Sequence, residues 1–149
     1  MKTVLAFGCF DILHYGHVRF LEEAKKLGER LIVVVARDAT AKKLKGREPL
    51  FDENIRLDMV KALKVVDEAR LGNAGEKYSV IAEVAPDVVA LGYDQAEDAA
   101  RLAEWLAANG LPGTRIARIA HVEDDDVFKS SKIAAKLHGR FAARPAGGA

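Results

Sequence analysis

Near its start the chain carries an apolar run, Val4-Leu5-Ala6-Phe7, that stops at Gly8. Two similar runs follow, Leu31–Ala36 and Val88–Leu91. Runs this short and continuous predict strands buried on both faces, as in a parallel sheet. Between them the spacing becomes helical. Phe20, Leu21, Ala24 and Leu27 give one apolar face to a helix over 17–27, with Gly28 expected as its C-cap. Gly46 and Pro49 preclude a long helix across 38–47. Asp52 is expected to cap a further helix whose inner face is Ile55, Met59, Ala62 and Leu63.

The pattern continues with a short strand over Val65–Leu71 and a helix over Lys77–Val84 that Pro86-Asp87 ends. An alanine-rich helix is predicted at Ala96–Ala108, closed by Asn109-Gly110, and a last strand at Arg115–Ile119. Ser130 or Ser131 caps a final helix that stacks Ile133, Leu137 and Phe141 at four-residue spacing. Strands alternating with helices imply one α/β domain over 1–141, a parallel sheet with helices on both faces. The small, Pro/Gly-rich stretch 142–149 reads as a flexible tail. Ligands of such sheets bind beyond the carboxyl ends of the strands. There the sequence puts Gly8–His17, Arg37–Arg47 and Gly92–Gln95.

Composition narrows the function. A net charge of +1 over 149 residues argues against a protein that coats nucleic acid. The one cysteine, Cys9, rules out an intrachain disulfide, and a reducing cytoplasmic setting is expected. The amino-terminal apolar run is too short for a signal peptide, and no stretch approaches the roughly 20 apolar residues of a membrane helix.

The densest chemistry lies in Gly8-Cys9-Phe10-Asp11-Ile12-Leu13-His14-Tyr15-Gly16-His17, which holds two of the four histidines. A strand feeding a helix start suits anion binding, because the first amides of a helix point outward. Gly16 admits a close backbone approach. Two imidazoles add donors that can follow charge onto a phosphate during displacement. Lys42, Lys43, Lys45 and Arg47 form a basic cluster that suits a polyphosphate or stands as a solvated charged loop. Asp94 follows a glycine at a strand end, where it accepts hydroxyl hydrogen bonds or shapes a turn. Arg56 and Lys64 are expected to be surface charges, and the acidic run Glu123–Asp126 a solvated loop in preference to a group that helps hold a metal.

The His14-Tyr15-Gly16-His17 element resembles the His-x-Gly-His signature of the cytidylyltransferase-like nucleotidyltransferase superfamily, whose members have a Rossmann-like fold. Phe10-Asp11-Ile12-Leu13, Val33–Asp38 with Lys42–Pro49, and Pro86–Gln95 most resemble the archaeal-type FAD synthetases within it. The resemblance runs from about Lys2 to Ile133. It implies an FMN adenylyltransferase that uses ATP, FMN and Mg2+ or another divalent cation carried on the nucleotide phosphates, often as a homodimer. It further implies that Gly8, Cys9 and Phe10 line the nucleotide by their backbone and that His14, Gly16 and His17 meet the α- and β-phosphates. Lys43 and Lys45 would hold the acceptor phosphate or the leaving pyrophosphate. Gly92 and Asp94 would reach the ribose or base, and Ser130 and Ser131 the distal phosphates. Val122–Ile133 lacks the arginine that cytidylyltransferases carry before the last helix, which weakens CTP as substrate. A glycerol-3-phosphate cytidylyltransferase and a nucleotide-binding regulatory domain are the alternatives.

Overall fold

The computed structural model describes residues 1–92, 95, 99–120 and 130–142. Its strands are β1 (Thr3–Gly8), β2 (Arg30–Val35), β3 (Glu68–Leu71), β4 (Val88–Leu91) and β5 (Arg115–Arg118). The helices are α1 (Tyr15–Lys25), α2 (Asp38–Lys45), α3 (Glu53–Lys61), α4 (Ser79–Val84), α5 (Ala99–Ala108) and α6 (Ser130–Ala142). The strands form one sheet in the order β3-β2-β1-β4-β5, and every pairing is parallel.

The continuous apolar runs explain this architecture. Successive side chains of a strand point to opposite faces, so a run apolar at every position needs cover on both sides. Val4 and Ala6 of β1 and Leu31, Val33 and Val35 of β2 pack on one face with Leu21 and Ala24 of α1 and Val60 of α3. Leu5, Ile32 and Val34 face the other way, against Val80 and Ile81 of α4 and Leu102 and Leu106 of α5. Each fully buried Val, Leu or Ile among them contributes about 1.5–3 kcal/mol.

The strand order creates the place where a ligand can enter. From β1 the chain steps outward through β2 to β3, then crosses back and continues through β4 to β5. The connections from β1 and from β4 therefore leave on opposite sides, which opens a crevice at the carboxyl ends of these two strands. Among the described residues no helix is long and apolar enough to cross a membrane.

Several expectations need correction. Gly28 is not a C-cap, since α1 ends at Lys25 and the right-handed Lys26 caps it. Gly28 is instead a point of close approach. A Cβ there would lie 2.6 Å from the Lys2 carbonyl oxygen and 2.9 Å from Val4 Cγ2. The segment 38–47 holds only a short helix, α2, which Gly46 ends in the left-handed conformation at φ 72°, as its breaker role predicts. The inner face of α3 is also rotated from the predicted one. Ile55 and Met59 are exposed, while Arg56 and Val60 are buried. On α6, Leu137 and Phe141 share the expected four-residue spacing and are exposed. The predicted Val65–Leu71 strand begins only at Glu68, because Val66 closes a turn onto Leu63.

Gly28→Ala is expected to cost about 1–3 kcal/mol, as overpacking does. The Lys2 carbonyl cannot retreat, because it already accepts from Glu29 N at 2.9 Å and Arg30 N at 3.1 Å. Denaturant unfolding of the variant checks this, and a midpoint equal to that of the parent would refute it.

Candidate active site

Beyond Gly8 the chain turns through Cys9 and Phe10 before entering α1. Phe10 adopts the left-handed conformation, φ 53°, unusual for a bulky residue. Its buried ring folds back over Gly8, where a Cβ would lie 2.6 Å from the ring. Glycine is thus required at the end of β1 so that Phe10 can close the loop. The same ring meets His17 edge-on, with centroids 5.2 Å apart.

The two histidines cap α1 reciprocally. His14 is the N-cap, and its Nδ1 accepts from Gly16 N at 3.1 Å. The backbone N–H of His14 donates to His17 Nδ1 at 3.3 Å. The rings stack with centroids 3.8 Å apart. With both Nδ1 atoms accepting, each neutral ring carries its proton on Nε2 and offers that N–H as a donor. Burial lowers the His17 pKa to about 3, and the neighbouring His14 and the charge of Lys45 add to the shift. His17 is therefore a neutral donor at physiological pH rather than part of a fixed positive charge. Gly16 is buried beneath this cap at the positive end of the helix.

Lys45 closes a second side of the site. It lies in the last turn of α2, and its charge is felt at both His17 and Cys9. Lys43 is exposed, and Lys42 pairs with Glu48 at 3.4 Å. The Cys9 thiol is pushed up by burial, the reverse of what an activated nucleophile needs. Its carbonyl, by contrast, is firmly held.

The group that holds it is Arg56, which sequence reasoning placed on the surface. The side chain is fully buried. Its Nη1 donates to the carbonyls of Cys9 and Ala36, both at 2.8 Å, and its Nε to Phe51 O at 2.9 Å. Its Nη2 pairs with Asp38 Oδ1 at 2.7 Å. One guanidinium thus joins the exits of β1 and β2, the start of α2 and the loop before α3. Asp11 supports the same junction by accepting from Leu50 N at 2.8 Å and Phe51 N at 3.0 Å. The signal for Arg56 lay in its phase, since it falls one turn before the buried Val60.

The rim at β4 is built from one turn. Gly92 N donates to Gln95 Oε1 at 2.8 Å, and Gln95 Nε2 donates to Phe7 O at 2.8 Å. Arg118 from β5 fixes the turn by donating to the carbonyls of Gly92 at 2.8 Å and Gln95 at 3.0 Å. Lys64 is exposed, as expected. Asp94 and the acidic run 123–126 lie outside the described residues, as do the side chains of Ser130 and Ser131. The structure thus brings Gly8, Cys9, Phe10, His14, Gly16, His17 and Lys45 to one end of the sheet, with Gly92 across the crevice.

A parallel sheet with a paired-imidazole helix start at its switch point defines a class, and comparison with known proteins names it. The family model described as Cytidylyltransferase-like matches residues 5–136, and the chain belongs to that family. The chain is 47% identical to a protein named FAD synthase from Thermoplasma acidophilum and 46% identical to one from Thermoplasma volcanium. In each case the match covers 92% of this chain and 94% of the relative. A solved structure titled as the lipopolysaccharide core biosynthesis protein of Thermoplasma volcanium GSS1 superposes with a TM-score of 0.79 at 48% identity. That match covers 83% of this chain and 99% of the other.

Two outcomes test this geometry. Arg56→Met should cost about 3–5 kcal/mol, because it leaves Asp38 and three carbonyls without their donor. A loss below 1 kcal/mol in denaturant unfolding would show that the guanidinium is not the brace described. The second concerns pH. Unfolded His17 takes up a proton near 6.5 and folded His17 only near 3, so between these values the unfolded chain binds more protons. Stability is therefore lost as pH falls from 6.5 toward 3, by up to about 1.4 kcal/mol per unit. His17→Gln should remove that part of the slope, and parallel pH–stability curves for the two proteins would contradict it.

Proposed function

We propose that this protein is an FMN adenylyltransferase, a nucleotidyltransferase that moves AMP from ATP to FMN and releases FAD and pyrophosphate. One observation carries the reading: the His14–His17 cap at the switch point of a chain 46–47% identical, over nearly its whole length, to proteins named FAD synthase. The phosphate oxygen of FMN attacks the α-phosphorus of ATP. The new P–O bond forms as the bond to the bridging oxygen of pyrophosphate breaks. A phosphate monoester is largely dianionic at pH 7, since its second pKa is about 6, so the nucleophile needs no base. This fits a His17 that stays neutral and serves as a donor.

In this reading the Nε2–H groups of His14 and His17 follow negative charge onto the α-phosphate and the bridging oxygen. Gly16 lets the phosphate approach the start of α1. Lys45, together with the exposed Lys43 of α2, neutralises the acceptor phosphate or the departing pyrophosphate. Gly8, Cys9 and Phe10 line the nucleotide by their backbone, Gly92 and Asp94 the ribose or base, and Ser130 and Ser131 the distal phosphates.

The family implies a divalent cation. Among the described residues no group of three or more His, Cys, Asp or Glu side chains is placed to hold one. Asp11 and Asp38 are engaged by N–H donors. In this reading a Mg2+ or similar ion would be carried on the nucleotide phosphates and would draw off their charge. A cytoplasmic homodimer completes the proposal, with the exposed Leu137 and Phe141 on α6 as candidates for the contact between copies.

The test is a pyrophosphate-release screen of ATP and CTP against FMN, glycerol 3-phosphate and sugar phosphates. Turnover is expected with ATP and FMN, and His14→Ala or His17→Ala should each lower it about 10²–10³-fold in folded protein. Turnover confined to CTP with glycerol 3-phosphate would overturn the reading. Near-parental rates in both histidine variants would overturn the mechanism.

A further inference from the structure

At the switch point the carbonyl of Phe7 and the N–H of Gly92 do not meet each other, although their strands pair in register up to Ala6 and Ala90. The Gln95 carboxamide stands between them. Its Nε2 donates to Phe7 O at 2.8 Å, and its Oε1 accepts from Gly92 N at 2.8 Å. A carboxamide thus supplies one missing rung where β1 and β4 diverge.

A carboxamide that uses an N–H donor beside an oxygen acceptor presents a defined pattern. Adenine presents the same pattern, with its N6 amino group beside N1. Cytosine does so with its N4 amino group beside N3. On the Watson–Crick edge at O6/N1 of guanine and O4/N3 of uracil the pattern is inverted, with a carbonyl oxygen beside a ring N–H. The strand ends therefore offer an acceptor and a donor, Phe7 C=O and Gly92 N–H, arranged to read an amino-bearing base edge. Gly92 lies across the crevice from the loop that carries the histidines, and Phe7 at the end of the strand that leads into it.

The mobility needed to exchange one partner for another resides in the Gln95 side chain. Its backbone is fixed, because Gln95 N donates to Gly92 O at 3.1 Å and Arg118 holds both carbonyls. Rotation about side-chain bonds can release the carboxamide without moving the turn.

We propose that Phe7 C=O and Gly92 N–H form the base-reading pair of this enzyme, and that Gln95 occupies the pair as an internal mimic until a nucleotide displaces it. The proposal deepens the adenylyl-transfer reading and rests on it for the identity of the ligand as a nucleotide. Base selection then rejects GTP and UTP through the backbone, and the choice between ATP and CTP falls to the rest of the pocket. Gln95 is a positioning residue that competes with the base rather than touching the reacting atoms.

Calorimetric binding of an α,β-methylene ATP analogue, in the absence of any acceptor, tests this separately from FMN turnover. Failure of FMN as acceptor in the pyrophosphate screen would leave this binding result intact. Gln95→Met should tighten the analogue roughly 3- to 30-fold, since two hydrogen bonds no longer have to be broken. Gln95→Asn, one methylene shorter and unable to span the pair, should move the same way and serves if the first variant does not fold. In wild type and variants alike, CTP should compete with the analogue while GTP and UTP do not. Weaker binding in both variants would show that Gln95 contacts the base itself. Unchanged affinity would reduce it to a strut, and effective competition by GTP would remove the backbone pair as reader. Each of these three results overturns the proposal.

Discussion

The site depends on one buried cation. Arg56 comes from α3, the third helix of the chain, yet its guanidinium is hydrogen-bonded to the exits of both β1 and β2, to the first residue of α2 and to the loop that precedes its own helix. A buried charge is costly unless its donors are satisfied. Here four short hydrogen bonds, one of them to Asp38, satisfy it with the planar fork that only arginine supplies. Because β1 and β2 end in loops rather than in paired strands, their last carbonyls need partners, and Arg56 provides them. The Cys9 carbonyl is thereby pinned, and with it the start of the turn that carries Phe10 over Gly8 and against His17. The position of the imidazoles follows from a residue that never approaches them.

This arrangement decides what kind of catalyst the motif can be. Two stacked histidines beside Lys45 would repel each other if both were charged, and burial lowers the His17 pKa further. His17 is therefore a neutral N–H donor at the positive end of α1, and in the proposed reaction positive charge would come from Lys45. Such a site suits a reaction whose nucleophile is already an anion and whose barrier lies in charge moving between phosphates. No covalent intermediate is required, in keeping with a Cys9 thiol pushed away from its reactive form.

The sheet was legible from its apolar runs, because strands buried on both faces leave no alternation to misread. The motif was legible because histidines flanking a glycine after a strand have few purely structural uses. What escaped was set by tertiary contact. Arg56 looked like a surface charge because a sequence shows the residue and not the carbonyls that converge on it. The face of α3 was misassigned for the same reason, since Ile55 and Met59 look more apolar than the arginine that displaces them. Gly28 looks like a cap in the sequence, whereas the constraint is the Lys2 carbonyl, just before β1 and over twenty residues earlier. Gln95 drew notice only as the end of a strand-end segment, because its partner Phe7 is 88 residues away.

A crystal structure with a non-hydrolysable ATP analogue tests the account most directly. An α-phosphate is expected within hydrogen-bond distance of Nε2 of both His14 and His17, at the start of α1, with the Arg56 brace unchanged beneath it. An analogue bound with its phosphates away from these imidazoles, or a bound state in which Arg56 has left the Cys9 and Ala36 carbonyls, would contradict it.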